Sequence, residues 1–185
     1  MDAIQALKNR MSCRFFTDEQ IKADELETII KCGLNAPSAS NKQIAKIIAI
    51  QDKDTIAELS TLNSKAAGRN KAAGRNIDEF YGAKTVCLIV VPKSNENEEQ
   101  AYLLNSVKDA SLVIGAMQTA AYAIGIGSCW INRCKEMLDF ERGQDILMEL
   151  GLEDYEGVGC CILGYPAKEL KTKKIKENRV FYYNN

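Results

Sequence analysis

Residues 101–131 read AYLLNSVKDASLVIGAMQTAAYAIGIGSCWI. Leu103, Val107, Ala110, Ile114, Met117, Ala121 and Ile124 recur at helical spacing, which predicts one long helix over 102–124 with a broad apolar face. The small residues Ala110, Gly115, Ala116, Ala120 and Ala121 allow close approach, so this helix is expected to pack on another helix, with a dimer seam as one option for its second face. Asp109 and Tyr122 read as packing or interface residues. Gly125 and Gly127 end the pattern in a turn with access to left-handed backbone angles.

Outward from this helix, the pattern predicts strands and shorter helices. TVCLIVV at 85–91 is a central strand, joined to the long helix by the solvated link SNENEEQ at 94–100. GVGCCILGY at 157–165 is a second buried strand, stopped by Pro166, and 143–150 is a short helix ending at Gly151. Towards the N-terminus, IAKIIAI at 44–50 is a mostly buried strand and residues 54–67 are helical. KAAGRN at 65–70 repeats at once as KAAGRN at 71–76, a basic surface excursion rather than a solenoid. Leu26, Ile29, Ile30, Gly33 and Leu34 mark a helix with Asp24 as its candidate cap and Pro37 beyond its end, and 2–9 make a brief first helix. Without regular βαβ alternation, this order points to an α+β fold in a single domain over 1–185.

Composition excludes several function classes. With 24 basic and 25 acidic side chains, no global field draws the chain to nucleic acid or to an anionic membrane, so any phosphate must be gripped locally. The seven cysteines follow no CxxC rhythm, which argues against a zinc site or a disulfide framework and for a reducing compartment. MDAIQALKNRMS lacks the apolar centre of a signal peptide, and no apolar run approaches the ~20 residues of a membrane span, so a cytoplasmic location is expected. The chain contains no histidine, which removes histidine-based triads and histidine-ligated metal sites. No metal site is expected, and difficult chemistry here would fall to a bound cofactor.

Four stretches carry candidate chemistry. In RMSCRFF, residues 10–16, an extended backbone projects Arg10, Ser12 and Arg14 to one side. Two guanidiniums flanking a hydroxyl make an anion grip in which each charge-assisted bond contributes ~1.5–3 kcal/mol; the plainer reading is a solvated basic turn. PSASNKQ, residues 37–43, offers Ser38, Ser40, Asn41 and Gln43, which suit a ring edge of alternating donors and acceptors such as a flavin pyrimidine, or which simply cap backbone groups. GIGSCWI lets the main chain approach a flat ring, or is a plain glycine cap of the long helix. Its Cys129 has no histidine to activate it and reads as core packing. After GYPA, Lys168, Lys171, Lys173, Lys174 and Lys176 either close over a phosphate or form a solvated charge run.

Taken in order, Arg10-x-Ser12-x-Arg14-x-Phe16, then APSASNKQ at 36–43, AAYAIGIGSCWI at 120–131 and LGYPA at 163–167 with its basic tail resemble the short nitroreductase family across roughly residues 2–175. The resemblance implies a mainly antiparallel central sheet flanked by helices, in an intertwined homodimer with FMN bound at the subunit interface. It places Arg10 and Ser12 on the phosphate and ribityl end and Arg14 at the pyrimidine edge. Pro37, Ser38, Ser40, Asn41 and Gln43 would come from the partner subunit, Gly127 and Ser128 would lie beside the ring by main chain, and Lys173 and Lys174 would complete the phosphate site. The implied activity is ping-pong transfer of hydride from NADH or NADPH through FMN to an acceptor such as a nitroaromatic or quinone, with no protein acid or base required. FMN storage or redox sensing without turnover is the alternative. Where many members have Pro-Trp after the glutamine, this chain has Ile44-Ala45-Lys46, a less aromatic rim.

Overall fold

The computed structural model describes residues 1–69, 77–94, 100–171 and 174–183, the side chains of 100–103 excepted. The second KAAGRN copy, most of the SNENEEQ link and Lys173 lie outside the described residues. The described elements are α1 (Ala3–Asn9), α2 (Ala23–Leu34), a 3-10 turn (Ala39–Asn41), β1 (Lys46–Ile50), α3 (Lys53–Ala66), β2 (Thr85–Pro92), α4 (Gln100–Ala123), β3 (Gly127–Ile131), α5 (Cys134–Leu138), α6 (Glu141–Glu149) and β4 (Tyr155–Gly164).

β2 and β4 form the middle of a four-stranded sheet of order β1-β2-β4-β3, with every pairing antiparallel. TVCLIVV is buried along its whole length because both faces of the sheet are covered. Val86, Leu88 and Val90 face Leu59 of α3, Met137 of α5 and Leu147 of α6. Cys87, Ile89 and Val91 face Ile29 of α2 and Ile114 and Met117 of α4. The register passes from Ile89–Gly159 to Val90–Gly157, so Val158 is the extra residue of a β-bulge. The α+β class and the antiparallel sheet agree with the sequence reading.

α4 supplies the expected helix seam, and its partner is α2. A Cβ on Gly33 would lie 2.5 Å from Met117 Cγ, so α2 needs glycine where it crosses α4. Ala110, Ile114, Met117 and Ala121 are buried in this layer, whereas Leu104, Val107, Leu112 and Ile124 are exposed and Gly115 meets open space. The small residues are therefore divided between the core and a free face.

Three local expectations are corrected. Asp24 is not the cap of α2: the helix starts at Ala23, and the Glu25 carboxylate accepts from the Lys22 N–H at 2.8 Å. GIGSCWI is not a turn beyond Gly125, which has φ +86°; Gly127 opens β3 outside the left-handed region. α5 is absent from the sequence reading because five residues are too few to show a helical period. Among the described residues no helix is long and apolar enough to cross a membrane.

Candidate functional site

The stretch RMSCRFF leaves the end of α1 in extended form, with Arg10 at φ −55° and ψ 130°. Alternation then puts Cys13 inward, fully buried, and leaves Ser12 and Arg14 exposed with Arg10 half-buried. Three backbone bonds stitch this loop down. Cys13 N–H donates to the Ser128 carbonyl at 2.8 Å, Thr17 N–H to the Tyr165 carbonyl at 2.9 Å, and Ala167 N–H to the Phe15 carbonyl at 2.9 Å. Ser12 pairs with Ser128, and Phe16 with Pro166, as isolated bridges. Three of the four sequence motifs thus converge: the arginine loop, the glycine-serine pair and LGYPA.

The convergence depends on close packing at Gly127. A Cβ there would sit 2.8 Å from both Cβ and Sγ of Cys13 and 3.2 Å from the Gly164 carbonyl oxygen. Burial raises the Cys13 thiol above its ordinary pKa, against a smaller lowering by hydrogen bonding with the Phe15 backbone. It is a neutral wedge rather than a nucleophile. Cys129 is likewise buried, in the cluster under α3 and α5, as its sequence reading expected.

Ser128 Oγ is buried and is the one such side-chain polar atom among the described residues with no hydrogen-bond partner. It lies on the residue paired with Ser12. An unsatisfied hydroxyl on the strand that receives a loop with two arginines and a second hydroxyl suits a ligand that brings both anionic oxygens and further polar atoms.

Arg14 opens onto a cleft of about 160 Å³ that also meets Asn63, Arg69, Glu79, Tyr81 and Trp130. Its guanidinium carbon is 5.9 Å from the Tyr81 ring centroid. Arg69 Nη1 donates to both oxygens of the buried Glu79 carboxylate, at 2.9 and 2.8 Å, which fixes one wall. Asn63, on the buried face of α3, donates to the Asn132 carbonyl at 2.8 Å. Sequence reasoning missed these residues. The available signal was Asn63, a polar residue on the stripe that also carries Leu59 and Leu62.

The PSASNKQ loop attaches elsewhere. Ala39 N–H donates to the Asp109 carboxylate, 3.1 Å to Oδ1 and 2.9 Å to Oδ2. Ser38 Oγ accepts from Gln43 N–H at 3.0 Å, and Gln43 Nε2 donates to Asn41 Oδ1 at 2.9 Å. Pro37, Ser40, Asn41 and Gln43 are exposed. Asp109 and Ala123 are separated by about 20 Å along α4 at the usual helical rise. The PSASNKQ loop is therefore held on the N-terminal half of α4, well away from the C-terminal end that leads to Gly127, and one chain alone does not gather all four motifs.

Of the tail, Lys168 returns to the arginine loop, its Nζ 4.4 Å from the Phe15 ring centroid. Lys174 is exposed, and Lys173 lies outside the described residues. A larger cavity of about 380 Å³, lined in part by Gln20, Gln51, Lys53 and Lys84, contains none of the residues singled out from the sequence. No cluster of metal-ligating side chains occurs among the described residues.

Comparison with known proteins adds an independent line. The model of the Nitroreductase family matches residues 7–165. FMN reductase (NADPH) of Bacillus subtilis is 28% identical over 145 residues, covering 75% of this chain and 57% of that protein. A second Bacillus subtilis relative, an NAD(P)H-type FMN reductase, is 26% identical over 171 residues, covering 90% of this chain and 66% of its own. The chain thus spans about three-fifths of the length of these relatives. A nitroreductase with bound FMN from Bacteroides fragilis superposes with a TM-score of 0.84 at 24% identity, over 100% of both chains, a likeness of fold.

Proposed function

The chain belongs to the nitroreductase family, and from that membership we propose that it is an FMN-dependent oxidoreductase, taking hydride from NADH or NADPH and reducing an acceptor such as a nitroaromatic or a quinone. The observation that carries this reading is the docking of Ser12 and Cys13 on Ser128, which brings the loop of Arg10, Ser12 and Arg14 onto the strand that holds an unpartnered buried hydroxyl. The FMN reductase activities of the two Bacillus subtilis relatives support it.

The residues fit FMN by their donor chemistry. Arg10 and Ser12 hold the phosphate and ribityl end; Lys174, and Lys173 beside it in sequence, add charge there. Arg14 sits at the pyrimidine edge, where a cation offsets charge that builds up on reduction. Gly127 and Ser128 line the ring by main chain. Asn63 and Tyr81 add polar groups to the Arg14 end. FMN, when bound, supplies the hydride-transfer chemistry; the protein positions it and needs no acid or base of its own.

The working unit is a homodimer. Its first support is the attachment of the 37–43 loop to Asp109, about 20 Å along α4 from the end that leads to Gly127, where Pro37, Ser38, Ser40, Asn41 and Gln43 serve the site of a second copy. Its second is the exposed apolar set Leu104, Val107 and Leu112 on α4 and Ile124 just beyond it, with Ile4 and Leu7 on α1. The fold is read as one domain. Seven unpaired cysteines suit a reducing, cytoplasmic location.

The test is the visible spectrum of the purified protein before and after anaerobic NADH or NADPH. Near-stoichiometric FMN that bleaches within seconds is expected. A yellow protein that stays oxidised would favour storage or sensing, and a colourless protein that cannot be loaded with FMN would overturn the reading.

A further inference from the structure

Three non-glycine residues of the 37–43 loop lie in the left-handed region: Ser40 at φ 51°, Asn41 at φ 55° and Gln43 at φ 50°. Only glycine, and to a lesser degree asparagine, adopts such angles readily, so this shape has to be imposed by its surroundings. Bonds inside the loop contribute: Asn41 N–H donates to the Ser38 carbonyl at 3.0 Å, and Lys42 N–H to the Ala39 carbonyl at 3.1 Å. A tie to the rest of the fold is Asp109, a residue 6% exposed whose two carboxylate oxygens both meet the Ala39 N–H. This largely buried carboxylate ties the first residue of the 3-10 turn to α4 by a charge-assisted bond, so it helps to set the conformation of the loop. The loop so held turns Ser40 and Asn41 outward, exposed.

We propose that Asp109 is a positioning residue for FMN, holding the 37–43 loop in the shape in which it meets the FMN of a second copy of this chain. The inference rests on the functional reading above, and its test separates the two. FMN affinity is measured by titrating free FMN with apoprotein and following flavin fluorescence. Wild-type apoprotein that binds no FMN would remove the functional reading itself.

Given wild-type binding, Asp109→Leu should raise the dissociation constant about tenfold or more, the scale of a lost charge-assisted bond. Asp109→Asn keeps an acceptor oxygen and should stay within a few-fold of wild type. Ala39→Pro reaches the same bond from the other side without touching α4. It deletes the N–H at the first residue of the 3-10 turn, and Ser38, at φ −135° and ψ 153°, already has the extended form a following proline requires. It should weaken FMN as Asp109→Leu does, and the double variant should be no worse than either, because both remove one interaction. If Asp109→Leu does not fold, Ala39→Pro and Asp109→Asn decide alone. Dissociation constants within about twofold of wild type for the folded leucine and proline variants would overturn the proposal.

A mixed dimer tests whether the loop serves the second copy. With Arg14→Ala in one chain and Asp109→Leu in the other, a loop acting across the interface leaves one intact site, so about half of the wild-type flavin is retained. A mixed dimer with no tight site would show that Asp109 acts on its own chain and overturn the placement.

Discussion

The backbone N–H of Cys13 donates to the carbonyl of Ser128 across 2.8 Å, joining a loop near the N-terminus to an edge strand more than a hundred residues later. Ser12 and Arg14 flank the buried Cys13, so this one bond sets where both project. Whatever loosens it should be read first in the cofactor.

Gly127→Ala attacks that joint. The new Cβ would meet Cys13 Cβ and Sγ at 2.8 Å, so the loop or the strand must shift. Urea denaturation should show a loss of about 1–3 kcal/mol, and FMN should dissociate faster. Gly115→Ala, where an added Cβ meets nothing within 4 Å, is the contrast. It should gain about 0.5–1 kcal/mol in isolated chains, since glycine weakens a helix interior. Equal effects at the two positions would contradict the packing account.

Arg14→Ala should weaken FMN by about 10- to 100-fold, or slow its reduction, because a charge-assisted contact of ~1.5–3 kcal/mol is lost. Arg14→Lys should fall between, since an ammonium keeps the charge without the planar fork. Flavin content and turnover both unchanged in the alanine variant would sink the assignment.

Ser128→Ala separates apo from loaded protein. The hydroxyl has no partner among the described residues, so removing it should leave the apoprotein as stable or more stable, by up to about 1 kcal/mol. The FMN-loaded protein should lose affinity. A destabilised apoprotein with unchanged FMN binding would show that Ser128 has a structural partner instead.

Tyr165 should titrate late. Its hydroxyl donates to Glu25 Oε2 at 2.6 Å, and that carboxylate, with a smaller contribution from burial, pushes its pKa up to about 12. The folded chain thus holds this proton more tightly than the unfolded chain. The associated stability is fully present below the ordinary tyrosine value of about 10 and is lost as pH rises through about 12. Ultraviolet titration should show one of the seven tyrosines ionising last, and Tyr165→Phe should remove that component.

Thiol reactivity should be confined to Cys32, the exposed cysteine; the other six are buried, and desolvation pushes Cys87 up to about 12. A chromogenic disulfide reagent should label one thiol per native chain and seven after denaturation. Rapid labelling of Cys13 in the native protein would mean that the loop opens.

Much of the fold was legible in local pattern. TVCLIVV and GVGCCILGY are apolar on both faces and became the two inner strands; the spacing of Ala110, Ile114, Met117 and Ala121 gave the buried stripe of α4. α5 and the true start of α2 were not legible, because a five-residue helix has no period and Lys22 carries no capping signal of its own. The exposure of Ser12 and Arg14 on either side of the buried Cys13 was readable because alternation in an extended run is a local rule.

What the sequence by itself determined is therefore most of the elements, the alternation that buries Cys13 between Ser12 and Arg14, and the family. Each follows from backbone geometry over a few residues or from ordered motifs along the chain. Only the tertiary structure decided that Ser128 meets Ser12, that Asn63, Arg69 and Tyr81 surround Arg14, and that Asp109 grips Ala39 across 70 residues of chain. Those neighbours depend on how helices settle on the two faces of the sheet. Packing contacts have no fixed separation in sequence, so no periodicity announces them.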